Sequence, residues 1–301
     1  MAGKILVVGS LHLDVIVHSS RLPKPDETLL GDKVSYRFGG KGGNQAVAAA
    51  KIDVQVFMAG RIGTDNFGKQ IYDTLSNQNI NLDGLKMVDE ATGMSVALIG
   101  SDGIYSAVVV SGANQTIDLS EIAVPDDLTV LVLQNEINTD ANFEIIKKVP
   151  KSTFIILNAA PALTPNKDFF ERIDLLVVNQ LEAKMLLNEE PSIFNNLDAL
   201  RKLQNLGPKE VIITMGADGY TGISKNGEIF SEPGIKVDVL STHGAGDSFV
   251  GTLAAFICKG KPINIAAQYA QASSALHVKT PIDQREKILQ ADIENMFSLN
   301  Q

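Results

Sequence analysis

The chain has 301 residues, of which 45% are hydrophobic and 20% are charged, values typical of a globular protein. Its formal net charge of -9 argues against a nucleic-acid surface, and no apolar run is long enough to cross a bilayer. A single cysteine, Cys258, excludes an internal disulfide. Because no apolar leader is visible, we expect a cytoplasmic protein whose partner is a small molecule rather than nucleic acid or membrane.

Strand-like runs alternate with helix-like runs along the chain. The predicted strands are 5–9, 54–59, 129–133, 153–157, 175–178, 211–214 and 222–224. The helices predicted between several of them are 45–51, 67–78, 140–148, 181–187 and 196–206. This alternation predicts an α/β fold, with a doubly wound, mostly parallel sheet flanked by helices.

Two segments interrupt this rhythm. Residues about 12–38 and 93–112 alternate with period two, but no helix follows either of them. We expect them to form short antiparallel strands that make a small β lid on the main sheet. No internal repeat and no linker is visible, so residues 1–301 are expected to form a single domain with this lid.

The first glycine-rich segment, Gly39 to Gly43, has four glycines in five residues and precedes Asn44 at the start of an alanine-rich helix. Because glycine loses much entropy on folding, such a run indicates close approach of the backbone to something. It is not a P-loop, since no Ser or Thr follows Lys41, and no dinucleotide fingerprint follows the first strand. Tight packing of helix on sheet would explain the glycines but not Lys41 and Asn44.

The second glycine-rich segment, Gly244-Ala245-Gly246, lies between a strand predicted over 234–240 and a helix predicted over 249–257. The free N–H groups of a helix start attract an anion. Asp247 follows, and its carboxylate would repel phosphate but suits removal of a proton from a hydroxyl that attacks phosphorus. The segment predicts a phosphotransfer site; an ordinary helix-start acid is the alternative for Asp247.

These two segments carry a resemblance to a known family. Gly39 to Ala46 resembles the N-terminal signature, and Gly244 to Phe249 the C-terminal signature, of the ribokinase (PfkB) family of sugar and nucleoside kinases. Shorter matches lie between them in the family's order: Thr92-Gly93, Gly112-Ala113-Asn114, Asn158 to Ala162, Asn179 to Glu182 and Thr214 to Gly219. The resemblance covers nearly the whole chain. It implies a ribokinase-like fold, ATP and Mg²⁺ as partners, and transfer of the γ-phosphoryl to a hydroxymethyl group of a small sugar.

The resemblance also implies roles for individual residues. Asp247 would be the base, and the backbone amides of Gly244, Ala245 and Gly246 would stabilise charge on the transferred group. Glu182 would act on Mg²⁺ through water. The residues implied to hold the sugar are His12, Asp14, Gly40, Lys41, Asn44 and Glu136. Those implied to bind the nucleotide are Asn179, Thr214, Gly216, Gly219 and Gln271.

Ordinary structural roles stay open for several of these side chains. Asp14 could be a turn residue, Glu182 a solvated acid at a helix start, and Gln271 a solvated residue in mid-helix. Glu136 could be a surface acid, but it follows a predicted strand at the end where open α/β sheets bind ligands, which favours a role in binding.

Departures from the family pattern bear on the substrate. His12 stands where the pattern has asparagine, and the small side chains of Ser95, Ala97 and Val109 at lid positions could admit a larger ligand. We expect an ATP-dependent kinase for ribose or a related furanose. The alternatives are a fructose or nucleoside kinase and, from another class, a silent nucleotide or sugar sensor, which retention of the predicted base and metal ligand disfavours.

Two further expectations follow from the resemblance. The family's monovalent-cation site is doubtful here, because Ser241 replaces an acid and the loop 279–282 is short. The Lys279 ammonium could stand in for the cation, or no cation binds, and in either case we expect little activation by potassium. A homodimer paired through the lid is expected, since exposed lid strands such as 108–110 carry apolar side chains.

Overall fold

The computed structural model describes residues 3–101, 104–163, 167–189 and 195–300. Residues 102 and 103 of the predicted lid, and the first two residues of the chain, lie outside these ranges. The strands are β1 Lys4–Val8, β2 His12–Ser19, β3 Gly31–Gly39, β4 Gln55–Gly63, β5 Ile80–Val88, β6 Met94–Gly100, β7 Tyr105–Val110, β8 Leu128–Gln134, β9 Phe154–Asn158, β10 Leu175–Asn179, β11 Glu210–Thr214, β12 Tyr220–Ile223 and β13 Ile229–Glu232.

Helices connect most of these strands. They are α1 Lys41–Ala50, α2 Asn66–Ser76, α3 Thr139–Lys148, α4 Lys167–Glu171, α5 Gln180–Leu187, α6 Asn196–Asn205, α7 Ala245–Cys258, α8 Ile263–Lys279 and α9 Gln290–Ser298. Within the described ranges, no helix combines the length and the apolar character that crossing a bilayer requires.

The main sheet has nine described strands in the order β13-β12-β11-β10-β9-β8-β1-β4-β5. All neighbours from β11 to β5 run parallel, and β12 and β13 add an antiparallel edge. The predicted doubly wound, mostly parallel sheet is therefore confirmed.

Helices cover both faces of this sheet because its central strands are apolar on both sides. Along β1, Ile5 and Val7 belong to the core cluster that contains residues of α1, α2, α7, α8 and α9. The alternate residues Leu6 and Val8 belong to a second cluster that contains residues of α3 to α6. The alternation of side chains along a strand thus divides the helices into two layers.

The lid is a separate four-stranded sheet with the order β3-β2-β6-β7. The pairs β2–β3 and β6–β7 are antiparallel hairpins, as predicted, and the two hairpins meet through a parallel pairing of β2 with β6. Strands β3 and β7 form its edges. Because only three residues separate the end of β1 from the start of β2, the lid lies next to the carboxyl ends of the central strands.

One predicted strand is wrong, and some elements, among them β5 and β13, were not predicted. The strand expected over 234–240 does not form: residues 233–239 have no regular structure, and the Leu240 N–H donates to the carbonyl of Val278 at 2.8 Å. This segment contacts the turn at Ala217 so closely that a Cβ on Gly234 would lie 1.9 Å from the Ala217 oxygen. Strand β5 was missed, because polar residues and Gly84 weaken its apolar pattern.

Helices α1 and α7 pack directly on each other through Gly251. A Cβ at this position would lie 2.2 Å from the Gln45 carbonyl oxygen and 2.7 Å from Ala48 Cβ. Only glycine allows this approach of the two backbones, and both helices reach the candidate site described below.

We predict that Gly251→Ala lowers the free energy of unfolding by about 1–3 kcal/mol, because the added methyl group overpacks the α1–α7 contact. The matched control is Gly246→Ala in the same helix, where an added Cβ meets no atom within 4 Å. The control should be neutral or stabilising by about 0.5–1 kcal/mol, since alanine favours helix. Urea denaturation measures both, and equal effects of the two changes would contradict the packing argument.

Candidate active site

Predicted site residues converge where the lid meets the carboxyl ends of the parallel strands. Asp14 lies in the lid strand β2, Glu136 lies two residues after β8, and Asp247 lies in the first turn of α7. Ligands of open α/β sheets bind at this end of the strands.

Asp247 is held by the side chains of two consecutive residues in α1. Its Oδ2 accepts from Asn44 Nδ2 at 3.2 Å, and its Oδ1 accepts from Gln45 Nε2 at 3.0 Å. The residue is 9% exposed. Burial raises the pKa of the carboxyl, although the Lys41 charge and the Gln45 hydrogen bond oppose that rise. The carboxylate is thus less stabilised than an exposed one and more ready to accept a proton.

A chain of buried amides holds Gln45 in turn. Gln134 Nε2 donates to Gln45 Oε1 at 2.7 Å, and Gln45 Nε2 also lies 3.0 Å from Asn158 Oδ1. Gln45 belongs to the N-terminal signature, but the sequence predicts no role for it, because nothing in the local pattern distinguishes it from any other polar residue on a helix. Its partners come from β8 and β9, so only the tertiary structure brings this support together.

Glu136 connects the first glycine-rich segment to the turn after β1. Its Oε2 accepts from Ser10 Oγ at 2.5 Å and from the Lys41 backbone N–H at 3.0 Å, and its Oε1 lies 4.0 Å from Lys41 Nζ. Gly40 precedes Lys41 with φ of 90°, and a Cβ there would lie 2.7 Å from Leu11 Cα. The glycine therefore serves close packing, the alternative left open from the sequence, and also directs the Lys41 amide at the Glu136 carboxylate.

Asp14 is bonded from two sides. Ser95 Oγ of the neighbouring strand β6 donates to its Oδ1, and His243 Nε2 lies 3.3 Å from its Oδ2. Burial alone would raise the pKa of this carboxyl, but the hydrogen bonds from His243 and Ser95 together lower it below its usual range. Asp14 is therefore no mere turn residue. His243 was not predicted as a site residue, and it joins the lid to the loop before α7.

His12 lies at the start of β2, and 4% of it is exposed. Burial lowers the pKa of its imidazole, against the opposing charges of Glu136 and Asp14, so the ring is neutral at physiological pH. Its Nε2 is enclosed and has no hydrogen-bond partner among the described residues. The imidazole is thus a buried neutral ring close to the carboxylates of Glu136 and Asp14.

The start of α7 has a left-handed N-cap at Gly244, with φ of 75°. The Ala245 N–H donates to the Thr242 carbonyl at 3.1 Å, so this amide is already engaged. The N–H groups of Gly244 and Gly246 have no partner among the described residues. Of the three predicted anion-binding amides, these two are available in this conformation.

A cleft of about 420 Å³ opens beside this helix start. Its walls include Thr214, Gly216, Gly219 and Gln271, four of the five predicted nucleotide-binding residues, together with Ala245 and Gly246. Gln271 is buried rather than solvated, and its Nε2 donates to the Pro233 carbonyl. Apolar side chains such as Ile235, Val239 and Phe249 line the rest of the cleft, which suits a flat aromatic base.

Asn179, the fifth of these residues, caps its own helix α5. Its Oδ1 accepts from the Glu182 N–H at 2.8 Å, and its own N–H donates to Glu182 Oε2 at 2.8 Å, which forms a capping box. Asn179 is not among the described residues that line the cleft. Burial raises the pKa of the Glu182 carboxyl, with Asp247 adding to that rise and Lys41 opposing it. The capping box therefore presents Glu182 to the same charged cluster as Lys41 and Asp247.

Lys41 is the cation at the centre of this cluster. Burial lowers the pKa of its ammonium, but Asp247, Glu136 and Glu182 together raise it above its usual value. Three carboxylates around one ammonium leave net negative charge, which favours a cation or a cationic group of the ligand. No group of three or more His, Cys, Asp or Glu side chains among the described residues forms a ready metal cage.

The chain is similar to known proteins over nearly its whole length. The chain is similar to ribokinase of Schizosaccharomyces pombe, with 32% identity over 91% of this chain and 92% of the relative. It is also similar to deoxyribokinase of Salmonella typhi, with 29% identity over 91% and 92% of the two chains. The structure of Arabidopsis thaliana ribokinase complexed with ribose and ATP superimposes with a TM-score of 0.90, at 28% identity over 99% of both chains.

The family model of pfkB carbohydrate kinases matches residues 2–287, which is nearly the whole chain and contains every predicted site residue. The chain belongs to the pfkB family of carbohydrate kinases.

Proposed function

We propose that this protein transfers the γ-phosphoryl group of ATP to the hydroxymethyl group of ribose. The observation that carries the proposal is the position of Asp247, a buried carboxylate in the first turn of α7, whose start at Ala245 and Gly246 lines a cleft of about 420 Å³. The start of α7 suits a nucleotide phosphate, and the polar side chains near Asp247 suit a polyhydroxylated ligand. Family membership and the similarity to ribokinases support the assignment of the two substrates.

In the proposed reaction, the Asp247 carboxylate takes the proton of the sugar hydroxyl as that oxygen forms its bond to the γ-phosphorus. The bond from phosphorus to the bridging oxygen breaks, and ADP leaves with that electron pair. The N–H groups of Gly244 and Gly246 stabilise the charge on the transferred group. The raised pKa of Asp247 favours acceptance of the proton at this step.

Sugar recognition is assigned to the polar side chains that surround Asp247. Asp14, Glu136 and Asn44 supply acceptors and donors for vicinal hydroxyl groups. Lys41 neutralises the carboxylates and adds a donor. His12 closes one wall of this pocket, so its ring affects which sugar fits.

The residues present offer one carboxylate for a magnesium ion. Mg²⁺ binds one or two carboxylates together with substrate phosphates and several waters, and here Glu182 keeps one carboxylate oxygen outside its capping box. We assign Glu182 as the residue that would hold the ion through water, and a bound Mg²⁺ would supply positive charge to the phosphates. This role needs only one protein carboxylate, and no cluster of three or more His, Cys, Asp or Glu side chains that could hold a metal ion is found among the described residues.

A substrate panel tests the proposal. Turnover of ATP would be measured with ribose, deoxyribose, fructose and a nucleoside, with formation of the sugar phosphate as a second readout. The proposal requires the highest kcat/KM for ribose. A preference for a nucleoside would favour the larger-ligand alternative, and binding of ATP and sugar without turnover would favour a sensor.

We predict that Asp247→Asn lowers kcat by about two to four orders of magnitude while ATP binding stays nearly unchanged, because the amide cannot take the proton. Asp73→Asn, at an exposed position of α2, is the control and should be neutral. Since burial raises the pKa of Asp247, the acid limb of the wild-type pH profile should lie above the range of an ordinary aspartate. Turnover of the variant within a few-fold of wild type would exclude Asp247 as the base.

We predict that His12→Asn shifts the relative kcat/KM of ribose against fructose and a nucleoside in favour of ribose. A smaller side chain that offers both a donor and an acceptor replaces an imidazole, and such a change corresponds to about 1–3 kcal/mol in relative barrier. His18→Asn, the same change farther along β2, serves as the control. If the ratios do not change, His12 carries no selectivity.

We predict a homodimer that pairs through the lid edge strand β7. Val108, Val109 and Val110 on this strand are exposed, and a second copy would satisfy its unpaired backbone groups. Light scattering should give twice the 32.3 kDa chain mass. Val109→Lys should shift the mass toward the monomer, whereas Leu299→Lys, at an exposed apolar residue near the chain end, should not. A wild-type monomer at micromolar concentration would contradict the pairing.

A further inference from the structure

Arg285 presents its guanidinium group to three backbone carbonyls at once. Nη2 donates to the Ser241 oxygen at 2.8 Å, Nη1 to the His243 oxygen at 2.8 Å, and Nε to the Thr280 oxygen at 3.2 Å. The residue lies in the 3-10 turn Ile282–Lys287 after α8, and only 8% of it is exposed. The carbonyls come from two separate loops, so the guanidinium joins these loops in the way a coordinated cation would.

No carboxylate forms an ion pair with this buried charge among the described residues. Its remaining neighbour at hydrogen-bond distance is His277, whose Nε2 lies 2.8 Å from Nη1. Burial lowers the pKa of His277 to about 4, so that ring is neutral. Its Nε2 also lies 2.9 Å from the His243 carbonyl oxygen, so it accepts from Arg285 in one tautomer and donates to that carbonyl in the other. Other cations surround the site: Lys51 Nζ donates to the Arg285 carbonyl at 2.7 Å. Carbonyl dipoles therefore supply the compensation for the guanidinium charge.

The carbonyls that Arg285 holds belong to the segment that leads into the anion-binding turn. Ser241 and His243 directly precede Gly244, the left-handed N-cap of α7. Fixing the direction of the His243 carbonyl also fixes the direction of the Gly244 N–H, because the two groups belong to one planar peptide unit. The His243 side chain also contacts Asp14 of the lid. The guanidinium thus holds a segment that leads into the start of α7 and also contacts Asp14 of the lid.

We infer that Arg285 is a positioning residue that serves as a built-in cation, holding the Ser241–His243 loop so that the amides at the start of α7 face the transferred phosphoryl group. This inference deepens the proposed function and rests on it. The loop then needs no added monovalent cation. Lys279, considered from the sequence as a stand-in, is exposed, and no described contact joins it to this loop.

The first test compares Arg285→Ala with two controls. We expect Arg285→Ala to lower kcat about 10- to 100-fold with a smaller change in the sugar KM, since a positioned donor is misplaced rather than removed. Lys279→Ala should be neutral. Arg172→Ala should also be neutral, although Arg172 likewise donates to two backbone carbonyls, near the amino ends of β9 and β10. Unchanged kcat in Arg285→Ala would overturn the inference.

Chemical rescue separates positioning from a loss of folding. Guanidinium ion at millimolar, non-denaturing concentration should restore kcat of Arg285→Ala at least several-fold. Arg285→Lys should retain intermediate activity, because lysine keeps the positive charge but not the planar set of N–H donors. Wild-type turnover should differ less than about threefold between K⁺ and Na⁺ at matched ionic strength. A tenfold activation of the wild type by K⁺, or no rescue of a folded variant, would contradict a built-in cation.

Hydrogen exchange gives a readout that does not depend on turnover. The amides of residues 241–247 should exchange faster in Arg285→Ala than in the wild type, and guanidinium should restore their protection. If the wild type phosphorylates no sugar, the proposed function fails while this measurement still reports on the loop. If the wild type is active and exchange at 241–247 is unchanged by the substitution, the inference fails alone.

Discussion

The whole site depends on keeping one carboxylate buried yet able to ionise. Asp247 lies where water is largely excluded, and burial raises its pKa. Two side-chain amides of α1 and the nearby Lys41 charge oppose that rise in pKa and so stabilise the charged form. This requires α1 and α7 to lie unusually close, which Gly251 permits. The first glycine-rich segment and the second are therefore parts of one structural unit, although they lie far apart in the chain.

A second buried carboxylate, Asp14 of the lid, is also held by residues from distant parts of the chain. Asp14 is carried by β2, yet it is bonded by Ser95 of the other hairpin and by His243 of the loop before α7. The parallel pairing of β2 with β6 places Asp14 opposite Ser95. The contact between Asp14 and His243 therefore joins the lid to the loop before α7.

Charge in the site is arranged around two cations with different tasks. Lys41 lies among three carboxylates and balances part of their charge where the sugar and the phosphate would meet. Arg285 contacts no carboxylate in the described ranges and instead orders carbonyl dipoles behind the helix start. A flexible ammonium suits the first task and a planar, forked guanidinium suits the second. Glu182 lies near Lys41 and Asp247 and keeps one carboxylate oxygen outside its capping box.

The fold class could be predicted from the sequence, and so could the positions in the chain of the candidate site residues. Buried apolar strands alternating with helices predict the parallel sheet, and the two glycine-rich segments beside Asn44 and Asp247 predict a phosphotransfer site, because these signals are local in the chain. The polar side chains that hold Asp247 and the loop before α7 could not be predicted in this way. Gln45 and Asp247 are 202 residues apart, and Arg285 and Ser241 are 44 apart. Neither pair leaves a local pattern, since a hydrogen bond between distant elements depends on how the helices pack and not on the spacing of residues along the chain.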